Sequence, residues 1–337
     1  RRYLDGKSIN AQISVGRRIR ARARAYRRKL VAVAVIAAFA VVSSIAAIAI
    51  YEKREVERNA IETERTAQAV LGVTAFVRLA ERDVLDRNID RAKEALLAAV
   101  ELSDAIPATD PEAHRPVYTA YHDLADLAFR QKDLESALKY SEKAIDIVDT
   151  MRREFPADQL WFRLEGFSHK LRGRIAYAQD DWPTALDHFE SMLEVRDELL
   201  SGAPSLVGHQ IEVVNAFAWV GKAARHNGQL AYAIEIFNRA VEINTGIAGD
   251  YPGDVVHQVR LSRSENDLGV ALMSQHTTYG NADAKKWLTP ARARLSALLD
   301  ANSLGTRKND ATDLLAQINH NLKIINRVKN RVSGDAS

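Results

Sequence analysis

The sequence predicts an all-α protein in which a transmembrane helix is followed by a solenoid of helix pairs. Three observations predict it. Residues 30–50, LVAVAVIAAFAVVSSIAAIAI, carry no charge and only two serines. Prolines recur at Pro156, Pro204 and Pro252, 48 residues apart each time. Between these breakers a small residue is followed twelve positions later by alanine. Gly (16) and Pro (8) are sparse in 337 residues, and no long apolar-polar alternation occurs, so helix is expected almost throughout.

Residues 30–50 are 21 in number, and at 1.5 Å per residue a helix of that length crosses a hydrocarbon layer of about 30 Å. A buried core helix would show a polar face over six turns. A signal peptide would have a shorter apolar region, about 7–15 residues. Residues 1–29 hold eleven Lys or Arg against Asp5 alone, so with +10 in this head and +3 overall, the chain beyond residue 50 carries −7. Arg17, Arg18, Arg20, Arg22, Arg24, Arg27, Arg28 and Lys29 crowd the N-terminal flank, whereas five Glu dilute Lys53, Arg54, Arg58 and Arg65 on the other. The basic side is expected in the cytoplasm and the repeats outside it, in a single-pass plasma (inner) membrane protein. Its Arg cluster would meet anionic lipid headgroups, each residue contributing about 1 kcal/mol. With an acidic body, nucleic acid is not an expected partner.

The repeat pairs are Ala80 and Ala92, Ala125 and Ala137, Gly173 and Ala185, and Gly221 and Ala233. Links QKD, QDD and HNGQ separate the last three, and ALKYSEKAI, ALDHFESML and AIEIFNRAV continue from each Ala with apolar residues at helical intervals. Two antiparallel helices with small side chains at their closest approach account for this. The breakers REFPADQ, SGAPSLV and DYPGDVV place Asp158, Ser205 and Asp254 to cap the following helix, and IPATDPEAHRP does the same around Asp110 and Pro111. Asp180 and Asp181 likewise read as structural residues at a helix start.

Gly173, Ala185 and Phe189, and Gly221, Ala233, Phe237 and Ala240, resemble the tetratricopeptide repeat framework over residues 73–250. That family typically repeats every 34 residues, and here the interval is 45 to 48; two longer helices per unit are expected to absorb the excess. The first unit has Leu96 and Ala99 at the aromatic and last Ala positions, and Ser141 replaces the aromatic in the second. A further unit starts at LSRSENDLGVALMSQ around Gly269, with its second helix displaced by the insertion HTTYGNADAKK and carried by Trp287, Ala291, Leu295 and Leu298. The repeats are thus expected over residues 73–303. Residues 304–337 are expected to form an amphipathic capping helix and a disordered tail.

Catalytic chemistry is not indicated. There is no Cys, no HExxH, no pair among the nine His at i, i+4, and no P-loop, GxGxxG or GxSxG. Neither cofactor nor metal is expected, and no enzyme activity in this chain. Trp161, Trp182 and Trp287 read as packing residues, while Trp219 is phased elsewhere. The resemblance implies that the first helix of each pair lines a concave face, with defined positions around the small residue pointing into it. Those positions select Phe129 and Arg130, Arg174 and Tyr177, and Trp219, Lys222, Arg225 and His226. They imply a groove for an extended peptide or acidic ligand, with cations meeting carboxylates and rings covering apolar side chains.

The opening RRYLDGKSIN, a helix-like Arg1–Leu4 run into an Asp5–Gly6 turn, resembles the end of the catalytic domain in bacterial Hanks-type serine/threonine kinases. In that family a basic linker, one membrane helix, a charged stalk and often tetratricopeptide repeats follow. The resemblance implies that residues 1–29 are the end of a kinase domain and the cytoplasmic juxtamembrane segment. Residues 51–86 would be a helical stalk running into the first repeat. Its apolar stripe of Val56, Ile61, Ala67, Val70, Leu71 and Val77 could pair two chains as a homodimer. The alternative is a free-standing, membrane-tethered scaffold for envelope assembly with no kinase.

Overall fold

The computed structural model describes residues 2–107 and 110–334, with side chains for 15–20, 22–107 and 110–328. The chain forms two compact units, residues 1–68 and 69–337, and every element among the described residues is helical.

The first unit consists of helix α1, Arg2–Leu85, up to residue 68. The helix runs unbroken through Asp5 and Gly6, so the turn expected there does not form. A single Gly costs a helix only about 1 kcal/mol, and a long helix-forming stretch follows it. Residues 30–50 are exposed on every side. Among the described residues α1 is the one helix long and apolar enough to cross a membrane, with a mean hydropathy of 2.7 over its most apolar window. A span and a signal sequence meet that criterion equally.

In the second unit, residues 69–85 of α1 pair with α2 (Ile89–Ser103), and four more pairs follow: α3 (Pro111–Arg130) with α4 (Leu134–Glu154), α5 (Gln159–Ala178) with α6 (Trp182–Gly202), α7 (Val207–His226) with α8 (Leu230–Asp250), and α9 (Val255–Met273) with α10 (Thr278–Asp300). The helices of α3 to α8 are 20 or 21 residues each, which absorbs the long repeat interval as expected. Val70 and Val77, assigned from sequence to an intermolecular stripe, belong to the first core instead. Val77 is buried and Val70 half-buried, with Ala80, Ala92, Leu96 and Ala99 around them. Val56, Ile61 and Leu71 are exposed.

The links between paired helices share one backbone solution. Seven positions after each small residue, Arg87, Lys132, Asp180, Gly228 and His276 all have positive φ, between 52° and 77°. In four of the five, the next residue's N–H donates to a carbonyl five residues back, as from Asp133 to Ala128 O at 2.9 Å and from Gln229 to Ala224 O at 2.8 Å. This left-handed cap satisfies the last carbonyls of the first helix, and glycine adopts it without the cost a side chain incurs. Replacing Lys132 (φ 63°) by Gly is therefore expected to stabilise the unit by about 0.5–1 kcal/mol, measured as a raised urea midpoint at unchanged m-value.

The proline breakers act largely as predicted. Asp158 accepts from Leu160 N, Asp254 from Val256 N, both at 2.8 Å, and Asp110 from Ala113 N at 3.1 Å. Asp181 caps α6. Ser205 does not cap α7: the helix starts one residue later, with Leu206 at its N-cap and no side-chain bond. The Gln210 amide reaches back to Pro204 O at 2.9 Å instead.

Close approach within each pair explains the small residues. A Cβ built on Gly173 would lie 2.5 Å from the ring of Phe189, and one on Gly221 2.6 Å from that of Phe237. Both rings are almost fully buried. In the last pair a Cβ on Gly269 would lie 2.8 Å from the Leu288 side chain. The insertion expected to displace α10 is mostly inside it. The helix starts at Thr278 after a four-residue link, and one extra turn at its N-terminus moves the alanine to Ala284, fifteen positions after Gly269. Trp287 is half-buried beside the neighbouring core.

After a short 3-10 turn, η1 (Gly305–Arg307), helix α11 (Lys308–Gly334) lays Ala311, Leu314, Ile318, Leu322 and Ile325 on the exposed side of the last pair, against Ala284, Ala291 and Leu295. Of the tail expected to be disordered after Arg331, residues 332–334 continue α11 instead, and residues 335–337 lie outside the described residues.

One pair of side chains couples this packing to pH. His169 and His188 meet across α5 and α6 with their Nδ1 atoms 3.2 Å apart. Burial lowers both imidazoles from the ordinary 6.5, and burial together with His169 pushes His188 down to about 4. Between pH 6.5 and 4 the unfolded chain takes up protons that the folded one refuses. The stability is complete above pH 6.5 and drains away as pH falls towards 4. The melting temperature of the wild type should drop more steeply over that range than that of His188→Gln, since carboxylate titration is common to both.

Candidate peptide-binding surface

The eight residues singled out from sequence lie on α3, α5 and α7, the first helices of successive pairs, and the fold brings them into a connected series. On α3, Phe129 is half-buried, and the guanidinium of Arg174 from α5 sits 4.5 Å from its ring centroid. That geometry suits cation–π attraction. Arg130, largely exposed, donates through Nε to Asp126 at 2.6 Å, and Arg174 Nη1 reaches the other oxygen of the same carboxylate at 3.3 Å.

Further along, Tyr177 of α5 makes edge contacts with Trp182 of α6 and with Trp219 and His226 of α7, at centroid distances of 4.8, 6.0 and 5.6 Å. Trp182 stacks on His226 at 4.5 Å. Trp219 stacks on buried Phe189 at 5.1 Å, so one face of its indole belongs to the core while the residue stays half-exposed. Burial raises the Tyr177 hydroxyl above its ordinary pKa and, with Arg225 alongside, lowers His226. The Arg225 guanidinium donates to His226 Nε2 at 3.0 Å, which suits a neutral imidazole. Lys222 lies 5.8 Å from the Trp219 ring centroid and pairs with Asp267 of α9 at 3.6 Å. Burial raises the Asp267 carboxyl, with Lys222, Arg263 and Arg225 opposing it.

The matches to known proteins bear on this repeated arrangement. A tetratricopeptide repeat family model matches residues 118–147, which lie in α3 and α4. The sensor-bearing Signal Transduction ATPase with Numerous Domains (STAND) protein of Pyrococcus horikoshii is similar over 77% of this chain and 35% of its own, at 15% identity and a TM-score of 0.50. This chain is an all-α, tetratricopeptide-like solenoid. Nearly identical TPR-like repeats from Podosopora anserina cover 66% of the solenoid chain and 94% of their own at 17% identity and a TM-score of 0.49. The yeast histone chaperone Hif1 covers 61% and 96% at 14% and 0.47. No curated protein matches the chain in sequence.

Within the solenoid, the basic and aromatic character expected of the surface needs one correction. Asp126 and Asp267 stand in it and partner Arg130, Arg174 and Lys222. The positional rule that picked the cations also picks these two: Asp126 follows Ala125 by one, and Asp267 precedes Gly269 by two. Trp182, at the first position of α6, was also assigned to the core and instead completes the aromatic cluster. No group of three or more metal-ligating side chains is found among the described residues.

Proposed function

We propose that the solenoid binds an extended peptide segment of a protein partner across the first-helix surface. The ring cluster of Tyr177, Trp182, Trp219 and His226 would hold an apolar side chain. The observation that carries this is the half-exposed Trp219, stacked on the core by one face and flanked by ion pairs on either side. Because Asp126 and Asp267 already engage three of the cations, the surface suits a peptide with an apolar anchor and charges of both signs better than a purely acidic one. Half-exposed aromatic anchors of this kind dominate peptide interfaces.

A peptide-display selection on the full chain in detergent tests this. Trp219→Ala is expected to weaken selected peptides by at least about 2 kcal/mol, roughly thirtyfold. Arg174→Glu together with Lys222→Glu should abolish capture. Selected peptides that bind all three proteins alike would refute the reading.

At a finer level, we propose that residues 30–50 cross a membrane with the arginines on the cytoplasmic side, and that the solenoid is the sensing part of a receptor-like serine/threonine kinase. The apolar segment, the asymmetry of its flanking charge and the RRYLDG stretch support this. The membrane-tethered scaffold without a kinase is the other reading. Sequence upstream of Arg1 in the gene separates the two, by the presence or lack of kinase motifs.

A further inference from the structure

A cavity of about 240 Å³ opens between α7 and α9, and residues of η1 and α11 contribute to its wall. None of the four rings of the cluster lines it, although Asp267, the partner of Lys222, does, and its chemistry is different. Arg260 and Arg263 of α9 and Arg307 of η1 all line it. Three guanidiniums in one small space repel each other. Burial together with Arg307 and Arg263 weakens the hold of Arg260 on its proton, with Asp254 opposing.

The carboxylates on the wall relieve Arg307 and, in part, Arg263, but none pairs with Arg260. Asp310 pairs with Arg307 at 3.4 Å, and Asp267 is engaged by Lys222. Arg260 reaches only Asn215 Oδ1, at 3.5 Å, and its Nε–H is buried without an acceptor. A buried donor left unsatisfied on a charged group costs more than the bond would contribute if made. On the same wall buried Asn244 donates to Ser264 Oγ at 2.8 Å.

We propose that this cavity is a binding site for an oxyanion, a phosphate or carboxylate group, held by Arg260 and Arg263 with Arg307 as the third cation. One such group satisfies the orphaned Nε–H, offers acceptors to planar guanidinium forks and cancels their repulsion. At about 30 Å³ per water, the space admits a phosphate with a few waters, but no folded segment. The proposal does not rest on the peptide reading, because a free anion meets every requirement named.

The test titrates the full chain in detergent with inorganic phosphate, with a phosphoserine peptide and with an acidic peptide lacking phosphate, by calorimetry and by thermal shift. Phosphate is expected to raise the melting temperature of the wild type. Arg260→Gln/Arg263→Gln should bind at least tenfold more weakly, while without anion it melts no lower than wild type because the repulsion is relieved. Arg307→Gln, with its exposed side chain, should also lose about tenfold and serves if the double variant fails to fold. Lys285→Gln/Lys286→Gln on α10 should bind like wild type. Binding of a peptide but not free phosphate, lost in the same variants, identifies the oxyanion as peptide-borne. Failure of all three probes to bind, or equal binding by the arginine variants, overturns the proposal.

Discussion

Phe237→Ala is expected to destabilise the second unit by about 3–5 kcal/mol, and Gly221→Ala by about 1–3 kcal/mol. The Phe237 ring is about 2% exposed and lies where a Cβ on residue 221 would be, 2.6 Å away. Removing the ring leaves a cavity between α7 and α8; adding the methyl forces the two helices apart. The costs should not add. Gly221→Ala/Phe237→Leu should be less destabilised than its two single substitutions together by at least about 1 kcal/mol, since the smaller side chain makes room for the methyl. The last pair already uses a leucine, Leu288, against Gly269. Urea unfolding of wild type, Gly221→Ala, Phe237→Leu and the double variant measures the coupling, and strict additivity would mean that the contact is not the one that sets the helix spacing.

The second large effect lies in α9 and α10. Glu265 is only 5% exposed, and Arg294 grips it at 2.5 and 3.3 Å while also donating to Ser262 Oγ at 3.0 Å. Burial nevertheless holds the Glu265 carboxyl above its ordinary pKa, against the pull of Arg294. Arg294→Met is expected to cost about 3–5 kcal/mol, because it strands a buried carboxylate, whereas Glu265→Leu/Arg294→Met should be near neutral or stabilising. Stability curves at pH 7 decide between this and a surface-like pair, for which the single substitution would cost under about 1 kcal/mol.

Much of this architecture was legible in the sequence because it rests on short-range rules. Pro156, Pro204 and Pro252 interrupt helices wherever they stand, and an alanine twelve residues after Gly173 or Gly221 marks where two helices touch. Those rules stop at pairings between distant residues. Nothing local in LSRSENDLG announces that the contact alanine of α10 stands fifteen positions on rather than twelve, which puts Leu288 against Gly269. Val77 reads equally well as part of a dimer stripe or of a core, and only the presence of α2 beside it decides. At the candidate surface the positions were legible but the charge balance was not. Arg174 and Asp126 are 48 residues apart, Lys222 and Asp267 are 45 apart, and the ion pairs arise from stacking one repeat on the next. The orphaned Nε–H of Arg260 was invisible for the same reason.

The decisive question is where a partner meets the solenoid. A photo-reactive amino acid placed in the full chain in cells at His226, which is exposed within the ring cluster, or at Asn238, exposed on α8, reads this directly. Crosslinks to a discrete partner from position 226, lost when Trp219→Ala is added and lacking at position 238, are the predicted result. Equal crosslinking from both positions, or crosslinks at 226 that survive the loss of Trp219, would contradict it.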